Sequence, residues 1–232
     1  DGTVRLRGDL AHFPFHGERP ADRAKGEFRF AARVENGALD YVPSHLAEDG
    51  KSPLWPLAER INGTLVFDRA RLEINAESGR TMGVALSAIK AVVPDLASHD
   101  MMLDIDGKAA GPLQGFVDYM AASPVLGWIG HFTENTRATG NAKLGLSLHI
   151  PLGHPRDTKV NGSLQLQNNE IALFPDLPAV QGANGRIDFH ERGVALPNVT
   201  GSFLGGPLTV NGGTQREGGI AVRLAGTASA EG

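Results

Sequence analysis

Apolar and polar residues alternate with a period of two along most of this chain, and that pattern limits the folds open to it. Phe28, Phe30, Ala32 and Val34 fall on one side of an extended segment. Leu72, Ile74 and Ala76 repeat the pattern, as do Val84, Leu86 and Ala88, and then Met101, Leu103 and Ile105. The clearest run is Leu144, Leu146, Leu148 and Ile150, separated by Gly145, Ser147 and His149. Val160, Gly162, Leu164 and Leu166 follow it, and Ile220, Val222 and Leu224 close the series. Val4, Leu6 and Leu10 open it in the same way. Side chains alternate across a strand, so each run predicts a half-buried strand with one greasy and one wet face, as in antiparallel sheet. Thirty glycines and 14 prolines in 232 residues cut the chain into many short elements. Asn36-Gly37, Asn62-Gly63, Asn161-Gly162, Asn184-Gly185 and Asn211-Gly212 read as turns between strands, some of them at strand ends.

Helix is scarce. Pro112 to about Ala122 fits one, with Leu113, Phe116, Val117 and Met120 forming an apolar stripe and Ser123-Pro124 stopping it. Val125 to Ile129 fits a second short turn, and His45 to Ala58, broken by Pro53 and Pro56, reads as a loop-like insert. The stripe reads first as ordinary packing and second as a plug or gate at the end of an apolar trough.

An internal repeat orders the rest. Residues 62–86 match 184–208 without a gap, pairing Phe67 with Phe189, Gly79 with Gly201, Gly83 with Gly205 and Leu86 with Leu208. Upstream, Asn36 to Pro43 resembles Asn168 to Pro175 at an offset ten residues longer, so the first copy carries an insert. The domain reading is a first meander over 1–111, a helical connector over 112–137 and a second meander over 138–232. About a dozen to fourteen strands at ~4.8 Å spacing would make one sheet on the order of 60 Å long. One short helix cannot cover its apolar face. The sheet must therefore fold over on itself or curl into a trough that holds something else.

Composition and motifs exclude several chemistries. The net charge of −4 argues against nucleic acid as a partner, and the absence of cysteine removes disulfides, thiolate metal sites and a catalytic thiol. No apolar stretch reaches the ~18 residues that would span a bilayer. His190-Glu191 lacks a second histidine at zinc spacing, and His12 and His16 flank Phe13-Pro14-Phe15, which forbids a shared helix face. Ser123, His131 and Asp118 form a conceivable triad, but Ser123 lacks the nucleophile-elbow glycines. The Asn-x-Ser/Thr triplets at Asn62, Asn161 and Asn198 read as turn residues. The expectation is a protein that is not an enzyme, with no metal and no cofactor.

The order of short motifs carries a family resemblance. Gly8-Asp9-Leu10-x-x-Phe13-Pro14-Phe15, Gly26-x-Phe28 and Asn36-Gly37-x-Leu39-x-Tyr41-x-Pro43 come first. Gly140-x-Ala142-x-Leu144-x-Leu146-x-Leu148-x-Ile150-Pro151-Leu152 and Gly182-x-Asn184-Gly185-x-Ile187-x-Phe189 follow, then Leu204-Gly205-Gly206-Pro207-Leu208-x-Val210. Over essentially its whole length the chain resembles the AsmA-like bacterial envelope proteins, and within them the YhdP group, relatives of TamB. The resemblance implies a mainly β fold, an elongated and curled antiparallel sheet shaped like a taco. It also implies an internal periplasmic segment of a longer, inner-membrane-anchored protein, with the anchor outside this chain. The expected partners are phospholipid acyl chains and neighbouring segments of the same longer chain.

The expected groove lining is Phe28, Phe30, Leu72, Ile74, Val84 and Leu86 in the first meander. Leu103, Ile105, Leu144, Leu146 and Leu148 continue it, and Leu164, Leu166, Val222 and Leu224 complete it. The alternative is a closed sandwich or spacer module of the envelope with no ligand; a hydrolase is a distant third.

Overall fold

The structure, a computed structural model, describes residues 1–15, 21, 24–43, 45–215 and 219–227. The alternating runs all become strands. In chain order they are β1 (Gly2–Gly8), β2 (Gly26–Leu39), β3 (Ala58–Asp68), β4 (Arg71–Thr81), β5 (Val84–Val93) and β6 (Met102–Pro112). Helices α1 (Leu113–Ala121) and α2 (Val125–Trp128) intervene. The chain then resumes as β7 (Arg137–Ala138), β8 (Asn141–Pro151), β9 (Lys159–Ala172) and β10 (Val180–His190). β11 (Gly193–Phe203), β12 (Gly206–Thr214) and β13 (Ile220–Gly226) complete it.

Among the described residues these strands make one 13-stranded antiparallel sheet in which sequence neighbours are spatial neighbours. The path runs β1-β2-β3-β4-β5-β6-β8-β9-β10-β11-β12-β13, with the short β7 also on β9, in line with β8. β1 and β13 do not pair with each other, so the sheet is open. Its accessible surface is 14782 Å². A compact 24.5 kDa protein would expose about 10,000 Å². The excess is what a sheet without a second layer produces.

A seam of β-bulges bends this sheet. Asn36, Arg60, Ala88, Asn168, Gly182 and Asn198 all have positive φ inside strands, and the pairing register slips beside them. A bulge adds one unpaired residue, bends its strand and increases the local twist. At three of these positions the freed N–H is met by an asparagine side chain on the next strand. The Asn36 N–H donates to Asn62 Oδ1 at 3.0 Å, and the Asn168 N–H donates to Asn184 Oδ1 at 2.9 Å. The Asn198 N–H donates to Asn211 Oδ1 at 2.8 Å. Asn62 Nδ2 returns a bond to the Arg60 carbonyl, and Asn184 Nδ2 to that of Gly182. The glycines that follow are required by close approach. A Cβ on Gly63 would strike the Asn75 carbonyl, and one on Gly185, where φ is 137°, would lie 2.9 Å from Val199 Cα.

The Asn-Gly pairs are thus not hairpin turns. All five lie inside strands, and so does Asn198. Of those ten residues only Asn36 and Gly185 adopt positive φ; Asn62, Asn184 and Asn211 instead serve as side-chain acceptors for the bulge of the neighbouring strand. Two-residue turns join β3 to β4 at Arg69-Ala70 and β10 to β11 at Glu191-Arg192, and others at Met82-Gly83 and Leu204-Gly205 have two consecutive positive φ values each. Two further expectations shift. Leu10 belongs to a short 3-10 turn rather than to β1, and the bulge at Ala88 hands its face to Ile89 and Ala91.

The repeat appears in the element boundaries. β3 and β4 shifted by 122 residues coincide with β10 and β11, end to end, and the Met82-Gly83 turn coincides with Leu204-Gly205. Phe67 pairs with Leu72, and Phe189 with Val194, at the same step of each hairpin. The break between β7 and β8 is closed by Asn169, which is fully buried. Its Nδ2 donates to the carbonyls of Thr139 and Asn141, and its Oδ1 accepts from the Gln167 N–H.

Asn169→Ala leaves three backbone groups without their partner in a dry site and should cost about 3 kcal/mol or more in chemical denaturation. Asn184→Ala frees the Asn168 N–H and the Gly182 carbonyl at an exposed place where water can replace the lost bonds, and should cost only about 1 kcal/mol. Equal losses for the two variants would contradict this account of the seam.

Candidate functional site

Register decides which side chains share a face, and the rows run across the sheet. One row is Ala32, Leu65, Ile74, Ala91, Ile105, Leu148 and Val160, one residue from each of seven neighbouring strands. A second is Gly79, Leu86, Ala109, Leu144, Leu164 and Ile187. Gly107, Leu146, Gly162, Phe189 and Val194 form a third. Leu6 faces Phe28, Phe30 faces Phe67, Leu103 faces Ile150, Leu166 faces Ala142, and Val84 faces Thr81. Val222 faces Gly212, and Leu224 faces Val210. Rows and pairs together put all fifteen expected lining residues on one face, because each bulge restores the apolar side after its strand loses phase.

Phe67, Ile89, Ile150, Val160, Ile187, Phe189 and Val194 share that face and are not among the residues expected to line a groove. Ile150 and Val160 already stand in the alternating runs, and carrying the Val84 run across the Ala88 bulge reaches Ile89. Glycines make room on this face for large neighbours. The Phe189 ring fills the space over Gly162, and the Ile89 side chain that over Gly107.

The opposite face carries the charge. Arg29 pairs with Asp68 at 3.3 Å, Arg71 with Glu73 at 3.0 Å and Arg186 with Asp188 at 2.9 Å. His149 bonds Asp104, and Ser147 bonds Asp106. Hydrogen bonds from Asn75 and then Arg71 hold the Glu73 carboxyl below its usual range. One face of the sheet therefore carries the apolar rows, with Thr81 among them, and the other carries the ion pairs.

The apolar face is unevenly covered. Most of the expected lining is half-buried, while Val222 and Leu224 on the edge strand are 47% and 69% exposed. Helix α1 lies on part of the face. Leu113 and Val117, 5% and 6% exposed, pack with Ala138, Ala142, Leu166, Ala183 and Val199. Withdrawing those two helical side chains from water contributes about 1.5–3 kcal/mol each. The stripe packs as expected, with Phe116 and Met120 beside it.

The β2–β3 connection reaches the same place. The Trp55 ring lies 6.4 Å from Tyr119 and 5.6 Å from Trp128. Burial, and then the neighbouring Tyr41, push the Tyr119 phenol well up, so it stays neutral. At the other ends of the strands, Phe13 packs on Phe28 at 4.9 Å and Phe15 is buried against Gly8 and Gly26.

The groups singled out for chemistry are engaged elsewhere. Ser123 Oγ donates to the Met120 carbonyl, Asp118 accepts from Gln114, and His131 faces Glu134. His12 sits beside Asp9, and His16 lies outside the described residues. Among the described residues no cluster of three or more His, Asp or Glu could hold a metal ion. No helix among them is long and apolar enough to cross a membrane.

The comparisons with known proteins point the same way as the fold. The chain is 27% identical over 188 residues to the intermembrane phospholipid transporter YhdP of Escherichia coli (strain K12). That match covers 79% of this chain and 14% of the transporter, so the chain spans about a seventh of its relative's length. No solved structure matches the chain. The sequence model described as YhdP protein matches residues 1–232, from the first residue to the last, and the chain belongs to the YhdP family.

Proposed function

We propose that this chain is a segment of a bridge-like lipid transporter, in which the apolar face of the curled sheet receives phospholipid acyl chains passing between the inner and outer membranes. The observation that carries the reading is the continuous apolar face. Rows of aliphatic and aromatic side chains cross strand after strand, with the ion pairs confined to the other side. The relative named as an intermembrane phospholipid transporter supports the substrate class.

On this reading the segment sits in the periplasm as part of an inner-membrane-anchored protein. Residues 1–111 and 138–232 are its two meanders, joined by the connector 112–137, and neighbouring segments extend the same groove. The reading needs no reactive group. Carrying a chain of ~16 carbons through water costs roughly a dozen kcal/mol, at about 0.8 kcal/mol per CH₂. A greasy trough removes most of that barrier, and aliphatic side chains do so without gripping a particular head group.

The alternative, a ligand-free spacer, would have the same residues closed off by a second layer. The two separate on substitution. Leu146 is half-buried and outside the helix packing, so Leu146→Asp keeps its carboxylate hydrated, preserves the cooperative melt and lowers the phospholipid recovered by solvent extraction. Leu166, 2% exposed beneath α1, has no such outlet. Leu166→Asp buries an unpaired charge and should cost several kcal/mol, abolishing the cooperative melt. Loss of the melt in both variants, with no phospholipid in the unsubstituted protein, would favour the spacer.

A further inference from the structure

We propose that helix α1 is a fixed wall inside the trough, which closes one lane of the apolar face and confines acyl chains to the lane beside it. The inference rests on the acyl-chain reading above and goes further, because it says which lining residues meet lipid. The covered lane lies between the seam and the strand ends where α1 begins. There the sheet presents small side chains, Ala138, Ala142 and Ala183, and the helix seats Leu113 and Val117 among them. The matching holes and knobs make this a packed interface, with Ala142 and Ala183 each 1% exposed.

No slack connects the helix to the sheet. Pro112 is both the last residue of β6 and the residue before α1, and the Leu113 N–H donates to the Gly140 carbonyl at 2.9 Å. Gln114 Oε1 accepts from the Ala138 N–H at 2.8 Å, while its Nε2 donates to Asp118. From the far side of the sheet order, Trp55 braces Tyr119 and Trp128. The Leu113–Gly140 and Gln114–Ala138 bonds tie the helix to the sheet, and Trp55 packs on its Tyr119.

The other lane is different. Leu146, Leu148, Val160 and Phe189 share the apolar face yet stand outside the helix packing. They are half-buried, whereas Ala142, Leu166 and Ala183 beneath the helix are sealed from water. Leu166, expected to line the groove from sequence, becomes the floor beneath the wall instead.

Site-specific photo-crosslinking in the full-length protein, in cells, tests the assignment. A photoreactive residue replaces Leu148 in the open lane or Ile171 in the covered lane, both half-buried positions, and phospholipid adducts are read by mass spectrometry. The expected result is an adduct at 148 and none at 171. Val117→Asp, which unseats the helix, should then produce an adduct at 171 while the one at 148 persists. Should Val117→Asp lose the 148 adduct by misfolding, the milder pair Phe116→Ala and Met120→Ala takes its place with the same expected appearance at 171. Adducts at both positions in the unsubstituted protein would overturn the wall and leave the acyl-chain reading standing. An unseated helix that leaves 171 unlabelled while 148 is labelled would also overturn it. Adducts at neither position in any variant would overturn the acyl-chain reading itself.

Discussion

A single sheet with one apolar face has no partner layer to bury it, and everything else in this molecule answers to that condition. In a sandwich the greasy faces of two sheets meet at about 10 Å and disappear from water. Here sequence neighbours pair in order from β1 to β13, and among the described residues no strand turns back over the sheet's own face. What covering there is comes from short pieces between strands. Helix α1 lies over the β8–β11 region, Trp55 reaches in from the β2–β3 connection, and Phe13 folds onto Phe28. The rest of the face must be shielded by the sheet's own curl or by whatever lies in it.

The curl comes from the seam. An unbroken strand keeps its side-chain phase, and a flat sheet of this width would leave its greasy side fully open. Each bulge bends the strand, and the paired asparagines keep the freed backbone groups bonded, so the bend costs little. The bulge also shifts the alternation by one residue, which would carry apolar side chains to the wrong face if the sequence did not shift with it. It does: Leu86 gives way to Ile89 across Ala88, and Leu166 to Ile171 across Asn168. Pattern and backbone agree at each of these two breaks.

How much of this was legible in the sequence follows from the range of each interaction. Alternation is local, so the strands and their common face could be read from runs such as Leu144 to Ile150. The repeat could be read because both hairpins need the same residues at the same steps, Phe67 with Phe189 and Gly83 with Gly205. The bulges could not. Asn62-Gly63 advertises positive φ and close approach, but whether the chain reverses there depends on Ser78 and Asn75 across the ladder. Likewise the helix stripe announced itself, whereas its seat on Ala142 and Ala183 depends on pairings between distant strands. Trp55 gave no local sign that it would meet Trp128, because its insert carries no periodicity.

The division of labour between faces is what the proposed transport reading draws on. On the proposed reading, ion pairs such as Arg186 with Asp188 keep one face in water, and the apolar face offers aliphatic contact that would not arrest a moving lipid. Native mass spectrometry of the protein purified without detergent tests this most directly. The account predicts bound species with the masses of whole phospholipids, displaced by added phospholipid of a different chain length. A folded protein that carries no phospholipid and takes up none when it is supplied would contradict it.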